Sequence, residues 1–368
     1  MAGKNMSSQR SVWWILPAGL AAVVLLAAAA YAAYVFLSYS RIEDNVELEV
    51  TGDARSPVQT GREYTAVSDN IGFGAYTADF TFFMDGGKES RARSKESVLD
   101  CVNGTSGTAL SFGPDIALFQ EVDTDSTRSH HVNECQLIVD NFSEEGAWDS
   151  VFAQNYHSAY LMYPLSQPHG KSNSGILTLS RMDITSSLRR SLPIASGFKK
   201  IIDLDRCYSI CRLPVENGKE LVVFNAHLSA YGTDASQGSA QLQMLFGDMK
   251  KEYDKGNYVL CGGDFNHDFT GTSGEYFNPQ STESFSWCAP FPDDMIPDGF
   301  TKCTGYAEEF MHTSRYTDRP YSGDSLVFIL DGFILSDNID CTYVQNIDTG
   351  YQYTDHNPVV LKFVLKDH

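Results

Sequence analysis

Residues 11–40, SVWWILPAGLAAVVLLAAAAYAAYVFLSYS, carry no charged side chain. Crossing the hydrocarbon core of a bilayer takes roughly 20 apolar residues, and this run exceeds that. It therefore sets the plan of the whole chain: a short N-terminus (1–11), a transmembrane helix (12–37), a linker or peripheral ribbon (38–62) and a folded body (63–368). A secretory signal peptide is the competing reading, because AAAAYAAY offers small residues for cleavage, but its apolar core is normally only about 7 to 15 residues long. Lys4 and Arg10 precede the run, whereas acidic RIEDNVELEV follows it with Arg41 as its only cation. The positive-inside rule then puts the N-terminus in the cytoplasm and the body outside the cell membrane, as a single-pass protein.

The charge of that body narrows its partners. All 47 acidic residues and all but two of the 27 basic ones lie beyond residue 40, leaving a balance of about −22 there. Non-specific affinity for a long polyanion comes mainly from cations that neutralise phosphates, so duplex nucleic acid is disfavoured unless a local basic groove exists. The Arg189–Arg190 pair in SSLRRSLP is too short for such a stripe. Eight cysteines fall in the body, an even number that permits disulfides without requiring them. No CxxC pair occurs. Cys207 and Cys211 in RCYSIC would stand roughly 13 Å apart on a strand, too far to bridge.

Beyond Glu63, apolar runs of strand length alternate with helical patterns. Strands are expected in EYTAVSDNIGFG, PDIALFQEV, SGILTLS, CYSICRLPV, KELVVFNAHL, GNYVLCGGD, SLVFILDGFILS and PVVLKFVL; helices are expected in GKESRARSKESVLDCV, RSHHVNECQLIVDNF and SAQLQMLFGDMKKEYD. No break in composition divides the body, which favours one α/β domain.

Several of these strands end in a side chain suited to metal or phosphate chemistry: Asn70, Glu121, His227, Asp264 with Asn266, and Asp331. Asp355 and His356 stand just before the final strand. One such residue is most simply a cap or a turn. Six cases together suggest that an α/β scaffold gathers them at one crevice, because strand ends are where such scaffolds collect functional groups.

The series NIGFG, ALFQEVD, NAHL, GGDFN, ILDGF and TDHNP resembles the endonuclease/exonuclease/phosphatase superfamily of DNase I-like nucleases, inositol polyphosphate 5-phosphatases and neutral sphingomyelinases. The resemblance runs from about residue 64 to 365, and GDxN followed about 90 residues later by DHxP is its most specific part. It implies a four-layer α/β/β/α sandwich and hydrolysis of a phosphate ester by in-line attack of water with a divalent cation, Mg²⁺ or alternatively Mn²⁺. Residue by residue, it implies Glu121, Asn70 and Asp355 as the metal side of the site. Asp264 would orient or deprotonate the water, and Asn266 would position phosphate or metal. His356 would contact the phosphate with its ring held by Asp331, and His227 would stabilise phosphate or donate a proton. Lys171 and Asn173, in PHGKSNSGILTLSR, are candidate substrate contacts.

The residue types also make chemical sense by themselves. Mg²⁺ takes oxygen ligands and needs only one or two carboxylates besides substrate phosphate. A histidine donating to phosphate needs a carboxylate to fix its tautomer. Gly262 and Gly263 are expected to let phosphate approach the backbone, and Asp264 and Asn266, two apart, to project to one side. His267 and Asp268 are expected to serve loop structure or substrate contacts rather than catalysis, and His130 and His131 to lie on a solvated helix face.

The expected activity is thus a membrane-tethered phosphoesterase with no obligate protein partner, acting on a lipid headgroup, a small phosphoester or a nucleic acid. The alternatives are an extracellular nuclease acting on DNA or RNA and a non-catalytic surface binding domain. The last should have lost some of the motif residues, and every one is present.

Overall fold

A computed structural model describes residues 7–194, 205–230, 235–281 and 288–367, with Lys4 of the charge argument outside them. Helix α1 (Ser7–Ser38) contains a span, Ile15–Ser38, of mean hydropathy 2.4, long and apolar enough to cross a membrane.

Two seven-stranded sheets pack face to face. In chain order the elements after α1 are β1 (Val46–Glu47), β2 (Thr51–Gly52), β3 (Glu63–Asn70), α2 (Lys95–Ser111), β4 (Ile116–Asp123), α3 (Glu134–Ser143), β5 (Asp149–His157), β6 (Asn173–Ser180), β7 (Ser186–Ser191), β8 (Cys207–Pro214), β9 (Glu220–His227), α4 (Ala235–Asp254), β10 (Tyr258–Asp264), α5 (Ser273–Phe277), β11 (Phe300–Lys302), β12 (Ser314–Arg315), β13 (Val327–Phe328), β14 (Asp331–Ser336), β15 (Ile339–Asn346) and β16 (Val359–Leu365). One sheet runs β15-β16-β3-β4-β6-β5-β2 and the other β1-β7-β8-β9-β10-β14-β11, with β12 and β13 pairing apart. Strand pairs β3/β4 and β9/β10 are parallel and the remaining ladders antiparallel.

Alternation along the strands produces the layers. Ala66, Leu118, Val223, Leu260, Phe333 and Leu361 point inward and form the core between the sheets. The opposite faces are covered by helices: Val98 and Val102 of α2 and Ile138 and Phe142 of α3 pack on Val67, Ala117 and Phe119, while Leu242, Leu245 and Met249 of α4 pack on Val222, Phe224 and Val259. This is the four-layer sandwich, with an apolar helix at its N-terminus.

Several details differ from the sequence reading, each for a local reason. Helix α2 starts at Lys95 because Ser94 caps it, its side chain accepting from Ser97 N while Ser97 returns a bond to Ser94 N. His130 and His131 are not helical. They form a turn at φ 53° and 59° that precedes the Asn133 cap of α3. Pairing begins before Glu63: β1 joins β7, β2 joins β5, and Val58 bridges Val215, so the segment after α1 is stitched to the edges of both sheets. The run SLVFILDGFILS is split into β13 and β14.

Candidate active site

Three neighbouring strands place their last or first residues in one row. Asp264 at the end of β10 is registered against His227 of β9 on one side and Asp331 of β14 on the other. Each arrives there because the apolar run behind it is locked in the ladder, so strand register alone fixes the row. Asn70, ending β3 in the other sheet, crosses the seam and donates from Nδ2 to Asp264 Oδ2 at 3.0 Å. Behind it Gln120 Nε2 donates to Asn225 Oδ1 at 2.9 Å, a second polar bridge between the sheets.

Glu121 reaches the cluster through a bulge. The β4/β6 register shifts between Phe119 and Val122, and Glu121 takes φ 55° there. Such a bulge re-aims a side chain out of its strand alternation. Its Oε1 lies 3.5 Å from Asn70 Nδ2. After Asn70 the chain turns sharply through Gly72, Phe73 and Gly74, all at positive φ, and Gly72 N donates to Asn70 Oδ1 at 3.1 Å. A Cβ on Gly72 would stand 2.5 Å from the Tyr76 ring and 3.0 Å from Asp355 Oδ1, so only glycine fits beside that carboxylate.

His356 Nδ1 is 2.8 Å from Asp331 Oδ2, and its Nε2 faces Ser314 Oγ at 3.3 Å and Asp264 Oδ2 at 4.0 Å. His227 Nε2 stands 3.5 Å from the same Asp264 oxygen. Asn266, at φ 50°, donates its backbone N–H to Asp264 Oδ1 at 2.8 Å and its Nδ2 to Leu228 O. The turn, rather than strand alternation, thus puts Asn266 beside Asp264. The two glycines before Asp264 also serve another purpose than expected. A Cβ on Gly263 would lie 2.0 Å from Ala226 O, and one on Gly262 would lie 2.5 Å from the Phe333 ring, so both permit close strand and core packing.

Burial and mutual charge set the protonation of this cluster. Burial, reinforced by Asp331, pushes the Asp264 carboxyl up to about 7. Burial also pushes Asp355 up to about 6. His227 is lowered by burial and by Arg206 and His356, and stays neutral. For His356 the carboxylates outweigh desolvation: Asp331 foremost, then Asp264 and Asp355, raise it well above an ordinary histidine. Glu121 and Asp355 offer carboxylate oxygens, the ligands a hard divalent cation takes, while Asn70 beside them turns Nδ2 toward Glu121 and holds Oδ1 against Gly72 N. The triad Asp264, Asp331 and His356 has its donor atoms within 4.8 Å of one another as well, but His356 Nδ1 is already engaged by Asp331.

Lys171 and Asn173 lie elsewhere. They line a groove of 590 Å³ at the foot of α1, together with Arg41 and His157, and Asn173 Nδ2 donates to Asp125 O. Asp268 accepts from Thr270, Gly271, Ser273 and Gly274 and holds its loop, and His267 is buried with Nδ1 at 2.6 Å from Phe265 O. Sequence reasoning passed over Ser314 and Thr354, the latter donating to Asn70 O at 2.7 Å. It also passed over buried Asp69, whose carboxyl is raised by burial and by Asp331, and over Arg206. Single hydroxyls and a lone arginine before a strand have no pattern to betray them.

A two-sheet sandwich with acids, amides and histidines gathered at its strand ends defines the DNase I-like class of hydrolases. The chain belongs to the endonuclease/exonuclease/phosphatase family, whose model matches residues 86–319. This is a family of hydrolytic phosphoesterases that generally use divalent metals. Among solved structures it is similar to an endonuclease/exonuclease/phosphatase from Beutenbergia cavernae DSM 12333, at 15% identity and a TM-score of 0.54 over 83% of this chain and 72% of that one. It is also similar to ANGEL2, a 2′,3′-cyclic phosphatase, at 13% identity and a TM-score of 0.55 over 88% and 99%. TDP2 from D. rerio, solved with a single-stranded DNA product, is similar at 12% identity and a TM-score of 0.53 over 82% and 98%. No curated protein matches the sequence. At these identities the likeness concerns the fold. Asn70, Asp331, Asp355 and His356 lie outside the matched residues, so their place in the site rests on the geometry above.

Proposed function

We propose that the chain is a membrane-tethered, Mg²⁺-dependent phosphoesterase whose body lies on the external face, acting on a lipid headgroup or a small phosphoester. The observation that carries the chemistry is the row His227–Asp264–Asp331 with His356 closing over it. A carboxyl near pH 7 is well matched to general-base work at neutral pH. Asp264 accepts the proton of a water as its oxygen attacks phosphorus, and Asn266 and Asn70 hold that carboxylate in place. His356, cationic and anchored by Asp331, donates Nε2–H to a non-bridging oxygen and offsets the charge that develops there. Neutral His227 donates from below. The leaving oxygen departs on the side opposite the water.

Glu121, Asn70 and Asp355 would hold the cation. When bound, it supplies Lewis-acid polarisation of the phosphoryl oxygen. Lys171 and Asn173 contact parts of the substrate away from phosphorus. The membrane part of the reading is supported by α1 and by the charge asymmetry around it, and the preference against long polyanions by the acidic body.

The test uses the full chain in phospholipid nanodiscs, with Mg²⁺ or with chelator, against plasmid DNA, sphingomyelin-containing vesicles and a panel of soluble phosphate esters. Chelator-sensitive release from vesicles or small esters with DNA intact is the expected outcome. Nicking of DNA instead would make it a nuclease, and no turnover of any substrate would favour a binding domain.

A further inference from the structure

Near the outer end of α1 the body shows an apolar edge that the site chemistry does not use. Two loops form it. One follows β5 and carries Tyr160, Met162, Tyr163 and Leu165; the other, before α2, carries Phe83 and Met84. Leu165 is 81% exposed, Met84 72% and Tyr163 71%, high values for large apolar side chains on a folded body. Between residues 158 and 172 there is no acidic side chain, although the body as a whole is strongly acidic.

The loops are bonded to α1 itself. Tyr31 Oη donates to Tyr160 O at 3.1 Å and accepts from Met162 N at 2.9 Å, and Tyr34 Oη accepts from Tyr160 N at 3.1 Å. A cleft of 650 Å³ between helix and loops is walled by Tyr31, Val35, Phe36, Phe83, Leu161 and Tyr163. The position of these bonds decides what covers the edge. At about 1.5 Å per residue, the span Ile15–Ser38 is roughly 36 Å long against a hydrocarbon core of about 30 Å. Its last few ångströms therefore stand among headgroups, and Tyr31, roughly 10 Å below Ser38, lies a few ångströms on the acyl side of the boundary. Loops bonded to Tyr31 share that depth. Tyrosines on both sides suit such a boundary, where an apolar ring and a polar hydroxyl meet different surroundings.

The edge also connects to the site. Phe82 N donates to Thr317 O and Thr317 Oγ1 to Asp85, while Arg315 donates to Thr77 O and, through its backbone N, to Asp355 O. Ser314, next in the chain, faces His356.

We propose that Met84, Tyr160, Met162, Tyr163 and Leu165 form a docking lip that enters the headgroup–acyl boundary of the bilayer crossed by α1, and so presents the site to phosphoesters held in that leaflet. This rests on the reading of α1 as a membrane span. The lip adds two anchoring points beside a single helix, fixing the tilt of the body against the bilayer surface.

The experiment places photoreactive benzoylphenylalanine, one position at a time, at Leu165, Met84, Leu26 and Asp254 of the full chain in phosphatidylcholine nanodiscs, and reads lipid adducts by mass after irradiation. Leu26 reports the span, and Asp254, exposed on α4, reports chance collision. Lipid adducts at Leu165 and Met84 at least about tenfold above Asp254 are expected. Adducts at Leu26 with only background at Leu165 and Met84 would overturn the docking lip and leave the span standing. Background at Leu26 as well would remove the span and the lip together.

Discussion

The floor of the site and the lip beside α1 break the same rule in opposite directions. At the floor, Asn70, His227, Asp264, Asp331 and His356 are all buried, each 6% exposed or less. At the lip, large apolar side chains are left outside. Burying a carboxylate is costly unless it is paired or neutralised, and exposing Leu and Met forfeits burial that a core would provide. A fold tolerates such costs where something not belonging to the chain completes the arrangement. In the function proposed above, that is a cation and a phosphate for the floor and a bilayer for the lip. The two regions should therefore respond to different perturbations.

The largest effect is expected from Asp264→Asn, which leaves the shape of the floor and removes its base. kcat/KM should fall by about 10³ or more, measured on whichever ester is turned over. Stability should move the other way. The folded carboxyl titrates near 7, above its unfolded value of 3.8, so from about pH 4 upward the fold disfavours the ionised form, and an amide is relieved of that cost. In chelator at neutral pH the variant should melt no lower than the parent. A large drop in melting temperature would mean Asp264 is a structural acid, and unchanged turnover would remove it from the chemistry.

Chelation tests the floor without mutation. Removing divalent ions should lower turnover by at least about 10² and Mg²⁺ should restore it. Mg²⁺ should also raise the melting temperature, because an ion bound only by the folded state stabilises it. Glu121→Gln should lose most of that thermal response. If the variant keeps the full response, the cation is held elsewhere.

The lip should show a smaller and more selective effect. Met84→Asp combined with Leu165→Asp puts two charges where the apolar edge meets lipid, on side chains too exposed to threaten folding. KM for an ester embedded in vesicles should rise about tenfold, with kcat/KM for a soluble ester unchanged. Equal losses on both substrates would show that the lip belongs to the site rather than to the membrane.

The two regions were also unequally visible before the structure. Much of the floor could be read from sequence because its side chains border apolar runs: GNYVLCGGD and KELVVFNAHL become β10 and β9, ending at Asp264 and His227, whereas Asp331, expected to end a strand, opens β14, and register then brings the three into one row. What escaped were groups positioned by non-local contacts. Ser314 sits in a two-residue strand, and β1 and β2 are equally short, so no periodicity could mark them. β7 reads SSLRRS, which looks like a solvated segment, yet Arg189 is 1% exposed because Gln154 O, Glu43 O and Asp205 O all accept from its guanidinium. The lip gave no warning at all. AYLMYPL has the composition of a buried strand, and only its place next to α1 distinguishes it from core.

The perturbation expected to move turnover least decides on which side of the membrane the comparison belongs. Cys303 and Cys341 face each other, and the neighbouring Cys303 lowers the Cys341 thiol, easing formation of the thiolate that disulfide exchange requires. Both line one groove, and Cys341 is exposed to oxidant. If the body lies outside the cell, the pair should be joined there, since oxidising compartments form and keep such bonds. Protein isolated under thiol-blocking conditions, denatured without reductant, should then show two fewer reactive thiols than the eight present after reduction. Turnover should be unaffected, because neither thiol touches the floor or the lip, while reduction should lower the melting temperature, a closed loop of this length contributing up to about 4 kcal/mol. All eight thiols reactive in protein drawn from its native membrane would place the body on the reducing side, with floor and lip facing the inner leaflet instead.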